Sequence, residues 1–353
     1  MRRLSRLLRG IVAACLAVPA AVAWPGPSAA QQVDDGRGVP FLTLRNRTGA
    51  TTPDAFYGDE RSDLKAGRCT IRELDLDVFA PMVEAVPSYL REELLRVAAV
   101  RELPVASALD ALWESAAGRV PVLYTHGYFI GFEKGCRRAT LLQENAGLSG
   151  RLLWFSWPSD GALINYTHDE ADLYWSVPDL AEVIVGMHDR FGPGGFDLAG
   201  HSLGARGIVL ALYEVANRRP DIRAREVVLI APDMDFAIFE RILPRIRPVA
   251  DNITIYVASG DRPLALSAQL HGYPRLGQSG NDVGTLPEVD VIDLGELPGD
   301  GPTGHLYHIH SRVVGQDLNQ LLAGGLRPGD RRNLTRRGPN LWQLQPEPPR
   351  AAD

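Results

Sequence analysis

Gly200-His201-Ser202-Leu203-Gly204 decides how the rest of this 353-residue chain is read. It lies between the apolar run Phe196-Asp197-Leu198-Ala199 and a helical pattern from Ala205 to Val215. A G-x-S-x-G pentapeptide in that setting predicts a strand turning sharply into a helix. The serine then sits in a strained backbone conformation with its Oγ exposed at the turn. A side chain at either flanking glycine would clash there. A turn that merely caps a helix accounts for Ser202 as N-cap but leaves both glycines without a reason.

Working outward, apolar runs recur at Val120-Tyr124, Leu152-Trp157, Phe196-Ala199, Val227-Ala231, Ile253-Ala258 and Val289-Leu294, with helical stretches between them. Strands alternating with helices imply right-handed crossovers and a mostly parallel central sheet with helices on both faces, an α/β architecture. Between Pro232 and Asn252 only one short helix fits, so no large lid insertion is expected. Residues 31–54 read as an extended lead-in with one strand-like run around Phe41 to Leu44. Cys69 to Val78 reads as an edge strand, and Val86 to Ala117 as two helical patterns divided by Pro104. The folded domain is then 55–326. Residues 327–353, rich in Pro, Arg and Gly with few core candidates, read as a flexible C-terminal tail.

Composition bounds the function. A net charge of −6 and a pI of about 5.8, with no dense basic face in the folded part, give no reason to expect a nucleic-acid partner. The basic residues are almost all arginine, Lys65 and Lys134 being the only lysines. The N-terminus has the grammar of an export signal over residues 1–30: basic Met1 to Arg9, apolar Gly10 to Trp24, then small residues ending at Ala30. The apolar run is short and broken by Pro19, so no stable membrane span is expected after cleavage. The expected location is periplasmic or secreted. Cleavage removes Cys15 and leaves Cys69 and Cys136 in an oxidising compartment, either as a disulfide or as two separate buried thiols.

A serine hydroxyl is a poor nucleophile until a histidine takes its proton, and a carboxylate must hold that histidine in the right tautomer. In strand order the acid belongs after a later strand and the histidine after the last one. Asp261 follows Ile253-Ala258 through Ser259-Gly260 and is the favoured acid; Asp233 and Asp235, after the preceding strand, are the alternatives. His305 follows the Gly/Pro-rich loop Pro298 to Gly304 and is the favoured base. His308 and His310 read as starting the final helix or facing solvent. A metal site on the three histidines is the bland reading of such a heptad, but no acidic or cysteine partner completes it, so no metal is expected. The oxyanion hole would take one backbone N–H from Leu203 and one from Tyr128 or Phe129, in the loop after Val120-Tyr124. His126, read as locking that loop, and Trp157 and Asp160, at the same sheet edge, are candidate pocket residues.

The segments YTHGYFIGF (124–132), FSWPSDGALINY (155–166), DLAGHSLGAR (197–206), IAPDMD (230–235), IYVASGDRPLALS (255–267) and GHLYHIH (304–310) together resemble a bacterial α/β-hydrolase family of unknown function, esterase- and lipase-like, over about residues 55–322. The resemblance implies the α/β-hydrolase fold and a triad of Ser202, Asp261 and His305. Family members commonly have Asn after HGY, where this chain has Phe129, and Met after the elbow serine, where it has Leu203. Both changes leave the backbone donors in place. The expected activity is cleavage of a small-molecule carboxylic ester through an acyl-enzyme, with no metal or organic cofactor. The same machinery would serve a thioesterase, an amidase or an acyltransferase, and a binding module of the cell envelope could keep the fold without the chemistry.

Overall fold

The computed structural model describes residues 37–74, 90, 92–161, 165–298 and 303–346; the export signal read at 1–30 lies outside them. The six apolar runs form six parallel strands, each within a few residues of its expected place: β4 (Val122–Thr125), β5 (Leu152–Ser156), β6 (Asp197–His201), β7 (Ala224–Ile230), β8 (Ala250–Val257) and β9 (Val289–Asp293). Side chains alternate across a strand, so each run feeds two cores. Leu123, Leu198, Val227 and Leu229 pack on one face, and Val122, Tyr124, Ala199, Val228 and Ile230 on the other. Both faces are covered, which is why these strands read as continuous apolar runs.

On the first face lie α1 (Ala108–Ala116), α3 (Tyr166–Phe191), α4 (Leu203–Arg218) and α5 (Phe236–Ile246). On the second lie α2 (Phe132–Asn145) and α8 (Arg312–Leu322). The helix α6 (Arg262–His271) and the single turn α7 (Tyr307–His310) stand at the carboxyl edge of the strands. Between β7 and β8 only α5 and a 3-10 turn intervene, so no large lid is inserted there. No helix among the described residues is long and apolar enough to cross a membrane.

The flanks depart from expectation. The sheet has eleven strands among the described residues, in the order β10-β11-β9-β8-β7-β6-β4-β5-β1-β2-β3. The lead-in is not a lead-in: β1 (Gly38–Arg47) lies parallel to β5, with Phe41 opposite Trp154 and Thr43 opposite Ser156. The run around Cys69 is not an edge, because β2 (Tyr57–Glu73) is flanked by β1 and by β3 (Leu95–Leu103). Residues 95–103, read as helical, form that outer strand instead. Pairing with β2 supplies the backbone bonds, and Leu95 and Val97 bury on alternate positions, which overrides a weak helical preference.

The tail is likewise incorporated. β10 (Leu334–Arg336) and β11 (Leu341–Leu344) form a hairpin whose second strand runs parallel to β9, Leu341 opposite Val291. Ahead of it the buried Arg331 donates to Asp317 Oδ2 at 2.9 Å and to Tyr256 Oη at 3.1 Å. The cysteines are bridged: Cys69 on β2 joins Cys136 on α2 with Cα atoms 6.3 Å apart, tying the antiparallel flank to a helix of the parallel core.

Candidate active site

Ser202 follows β6 as the N-cap of α4, with φ 54° and ψ −121°, a conformation that side chains rarely adopt. The turn is held by four backbone bonds: Ser202 N to Ile230 O at 3.0 Å, and Asp233 N, Ala205 N and Arg206 N to Ser202 O at 3.2, 3.1 and 3.4 Å. Both glycines are required sterically. A Cβ on Gly200 would stand 2.6 Å from Ala205 Cα, and one on Gly204 only 2.3 Å from His126 O. The loop after β4 presses against the same turn, since a Cβ on Gly127 would fall 2.9 Å from Ser202 Cβ.

Asp261 follows β8 and caps α6. Its Oδ1 accepts the Leu264 N–H at 3.0 Å, and its Oδ2 lies 2.6 Å from His305 Nδ1. One oxygen is fixed by the helix and the other is aimed at the imidazole. His305 is fixed in turn through its carbonyl, which accepts His201 Nε2–H at 3.0 Å. The His201 ring lies 4.5 Å from that of His305 and 4.2 Å from that of His308. Burial, then the neighbouring His308 and His305, hold His201 well below the usual histidine range, so it serves as a neutral donor.

Ser202 and His305 line one cavity of about 520 Å³, with Tyr128, Tyr166 and Leu266 among its walls. Among the described residues no side-chain hydrogen bond joins Ser202 Oγ to His305, whose Nδ1 is turned to Asp261.

Phe129, at φ 63°, spends its N–H on Asp169 Oδ2 at 3.1 Å. That carboxylate is buried and also accepts Ser159 Oγ at 2.5 Å and Asp160 N at 2.9 Å. Ile130 N donates to Ser159 Oγ at 3.0 Å. The loop is held from behind by Arg45, fully buried on β1, which donates to Ile130 O at 2.6 Å, Ser159 O at 2.8 Å and Ser156 Oγ at 2.9 Å. Leu203 is the first residue of α4, where an N–H has no acceptor within the helix.

Arg45 and Asp169 were missed in the sequence. The only signal was an arginine ending the apolar stretch Phe41-Leu42-Thr43-Leu44, and for Asp169 nothing beyond an acid in a helix's first turn.

His126, Trp157 and Asp160 do not line the cavity. His126 stacks on Trp157 with centroids 5.0 Å apart and planes within 8°, while Trp157 Nε1 donates to His126 O at 2.8 Å. They form the packing beneath the loop, and burial pushes His126 down to about 3. Asp160 closes the turn through Asn165 and Asp169.

His308 and His310 lie in the single turn α7 just ahead of the final helix, and neither side chain faces solvent. His308 is buried with Nε2 3.4 Å from Tyr124 Oη, and His310 Nε2 lies 3.4 Å from Glu92 Oε2. With His305 turned to Asp261, the three histidines point at three different partners. One triplet among the described residues has metal-ligand spacing, Asp160, His168 and Asp169, but both Asp169 oxygens are already bonded.

The alternative acids have other work. Asp233 accepts Tyr166 Oη at 2.6 Å, Ser267 Oγ at 2.6 Å and Arg275 Nε at 2.7 Å, with Arg206 Nη2 at 3.5 Å. Burial pushes it up, and Arg206 and Arg275 more than offset that, leaving it below the usual carboxylate range. Asp235 caps α5, accepting Ile238 N at 3.0 Å.

Residues 106–323 match the family described as alpha/beta hydrolase of unknown function, DUF900. No curated protein matches. Among solved structures, the esterase of Pyrobaculum calidifontis is similar at 15% identity, covering 59% of this chain and 78% of that one, with a TM-score of 0.33. Est1E of Butyrivibrio proteoclasticus is similar at 11% identity, covering 58% and 87%, with a TM-score of 0.37. At those scores they add nothing to the family match, which spans more than half of the chain. This chain therefore belongs to that α/β-hydrolase family of unknown function.

Proposed function

We propose that the protein is a serine hydrolase that cleaves carboxylic esters through an acyl-enzyme. The observation that carries this reading is the 2.6 Å contact of Asp261 Oδ2 with Nδ1 of His305, which lines the same cavity as the strained Ser202. His305 Nε2 takes the proton of Ser202 as Oγ adds to the ester carbonyl carbon. The developing oxyanion is met by the N–H of Leu203 and of Tyr128, the loop candidate whose neighbour Phe129 is committed to Asp169. As the C–O bond breaks, the imidazolium returns its proton to the leaving alcohol. Water then repeats the sequence and releases the acid. Asp261 keeps the Nδ1 proton in place and stabilises the imidazolium.

The work of this site is proposed to lie outside the cytoplasm, in the periplasm or beyond. The signal-like residues 1–30 and the Cys69–Cys136 bridge support that location, because disulfides persist in oxidising compartments.

A fluorophosphonate probe is expected to modify Ser202 alone. Ser202→Ala should stay folded, escape labelling and lose several orders of magnitude in turnover of a short-chain ester. Activity within tenfold of the wild type, or no labelling of well-folded wild type, would sink the assignment, the latter favouring a binding module.

A further inference from the structure

The cavity beside Ser202 has more cations than carboxylates among its described lining residues, although the chain is acidic. Three of its lining side chains are cations, Lys134, Arg138 and Arg262. The one carboxylate among the described lining residues, Asp233, is already engaged by Arg206 and Arg275. The three cations are not equivalent. Arg138 is neutralised, its Nε 2.7 Å from the buried Glu92 Oε1. Arg262 is exposed at the start of α6.

Lys134, in the first turn of α2, is half-buried. Its Nζ makes one hydrogen bond, to Phe129 O at 3.4 Å, and lies 4.1 Å from the centroid of the Phe129 ring. An ammonium has three donors, and no carboxylate lies within ion-pair distance of this one among the described residues. Burial and then Arg138 push it down to about 8, so it remains a cation at neutral pH.

Placing a charge out of water without a counter-charge is costly, and an anion entering the cavity would supply what the protein does not. The same cavity has an apolar wall on α6. Leu266 and Leu270, one turn apart, stay 63% and 60% exposed there, beside Pro263.

We propose that Lys134 is a specificity residue and that the substrates are esters carrying an anionic group, which pairs with Lys134 while an apolar portion lies along Leu266 and Leu270. This rests on the reading of Ser202 as the acylated nucleophile.

Two matched pairs of esters test it on the wild type, Lys134→Met and Lys134→Arg. 4-Nitrophenyl hemiglutarate against 4-nitrophenyl pentanoate places the carboxylate on the acyl side; 4-acetoxybenzoate against phenyl acetate places it on the alcohol side. Comparing variant with wild type for each ester cancels intrinsic reactivity.

In at least one pair, Lys134→Met should lower kcat/KM for the anionic member about tenfold to a hundredfold more than for the neutral one. The loss should appear mainly in KM, and Lys134→Arg should restore part of it. Equal losses on both members of both pairs would make Lys134 a mere tether of the Phe129 loop, and no loss at all would equally overturn the proposal. If the wild type hydrolyses none of the four esters and Ser202 resists fluorophosphonate, the hydrolase reading itself fails and this one with it. Turnover of the neutral esters without selective loss leaves the hydrolase standing and removes only the role of Lys134.

Discussion

Two aspartates stand in adjacent loops at the same edge of the sheet, almost equally buried, and differ in what surrounds them. Asp233, after β7, is ringed by two arginines, a tyrosine and a serine. Asp261, after β8, meets one imidazole and one backbone N–H. The first carboxylate faces partners that hold their protons across the physiological range, so it is a fixed charge that ties α3, α4 and the segment around Arg275 together. The second faces an imidazole, a ring that holds a proton on one nitrogen and can accept another on the second. Position at the strand ends was common to both; the proton chemistry of the neighbour separates scaffold from mechanism.

Exchanging each for asparagine is the direct way to break this comparison. Asp261→Asn keeps the shape but lets the side chain donate to His305, favouring the wrong tautomer, and should lower kcat about 10⁴-fold with little change in melting. Asp233→Asn should do the reverse. It leaves the buried Arg275 without its counter-charge and Arg206 with Glu170 alone, and should cost about 3–5 kcal/mol of stability, while turnover of the folded fraction falls far less. Denaturation midpoints and single-turnover rates on the same preparations check both. A crippled but stable Asp233→Asn beside an active Asp261→Asn would move the acid to the earlier strand.

A smaller effect probes the flank against the core. The Cys69–Cys136 bridge closes a separation of 67 residues and joins the antiparallel flank to α2. Removing it in Cys69→Ala with Cys136→Ala should lower stability by about 2–4 kcal/mol, through the freedom returned to the unfolded chain, and leave ester turnover unchanged. Two free thiols in exported wild-type protein, seen by non-reducing mass spectrometry, would refute the bridge.

The same contrast between centre and flank governs what was legible beforehand. The parallel strands bury both faces, so each is a continuous apolar run that stands out, and the elbow with its two glycines announces itself. The order of the strands then points to Asp261 and His305, which the structure brings together. The outer strands carry no such signal. β10 and β11 are short and half-exposed, held by backbone bonds to the free edge of β9, and backbone bonds leave no mark on the side-chain pattern. β3 mixes arginine and alanine with its two buried residues, as a helix would. Arg45 and Asp169 were out of reach for another reason: each matters because of where separate segments meet, Arg45 holding Ile130 and Ser159, 85 and 114 positions on, and Asp169 holding Phe129, 40 positions back.

The last prediction sharpens the distinction between a histidine with a carboxylate and histidines without one. His126, His201 and His308 are buried close to the site, none with an acidic partner, and burial holds each below its ordinary value, His126 at about 3. A group whose folded value is depressed binds fewer protons folded than unfolded. Their share of stability is therefore complete above the unfolded value of about 6.5 and is lost as pH falls below it. Each should cost on the order of 1 kcal/mol between pH 7.5 and 5.5, and the three together a few kcal/mol. Glu226 works in the opposite sense: burial pushes it up to about 7, so it takes up a proton in the folded state and stabilises the fold over the same interval. The clean measurement is chemical denaturation of Glu226→Gln at the two pH values, where the opposing group is gone. A steep loss toward pH 5.5 is expected. A flat profile would mean that these histidines reach protons or water in the folded state, and with it that His201 is not the neutral donor that holds the His305 carbonyl.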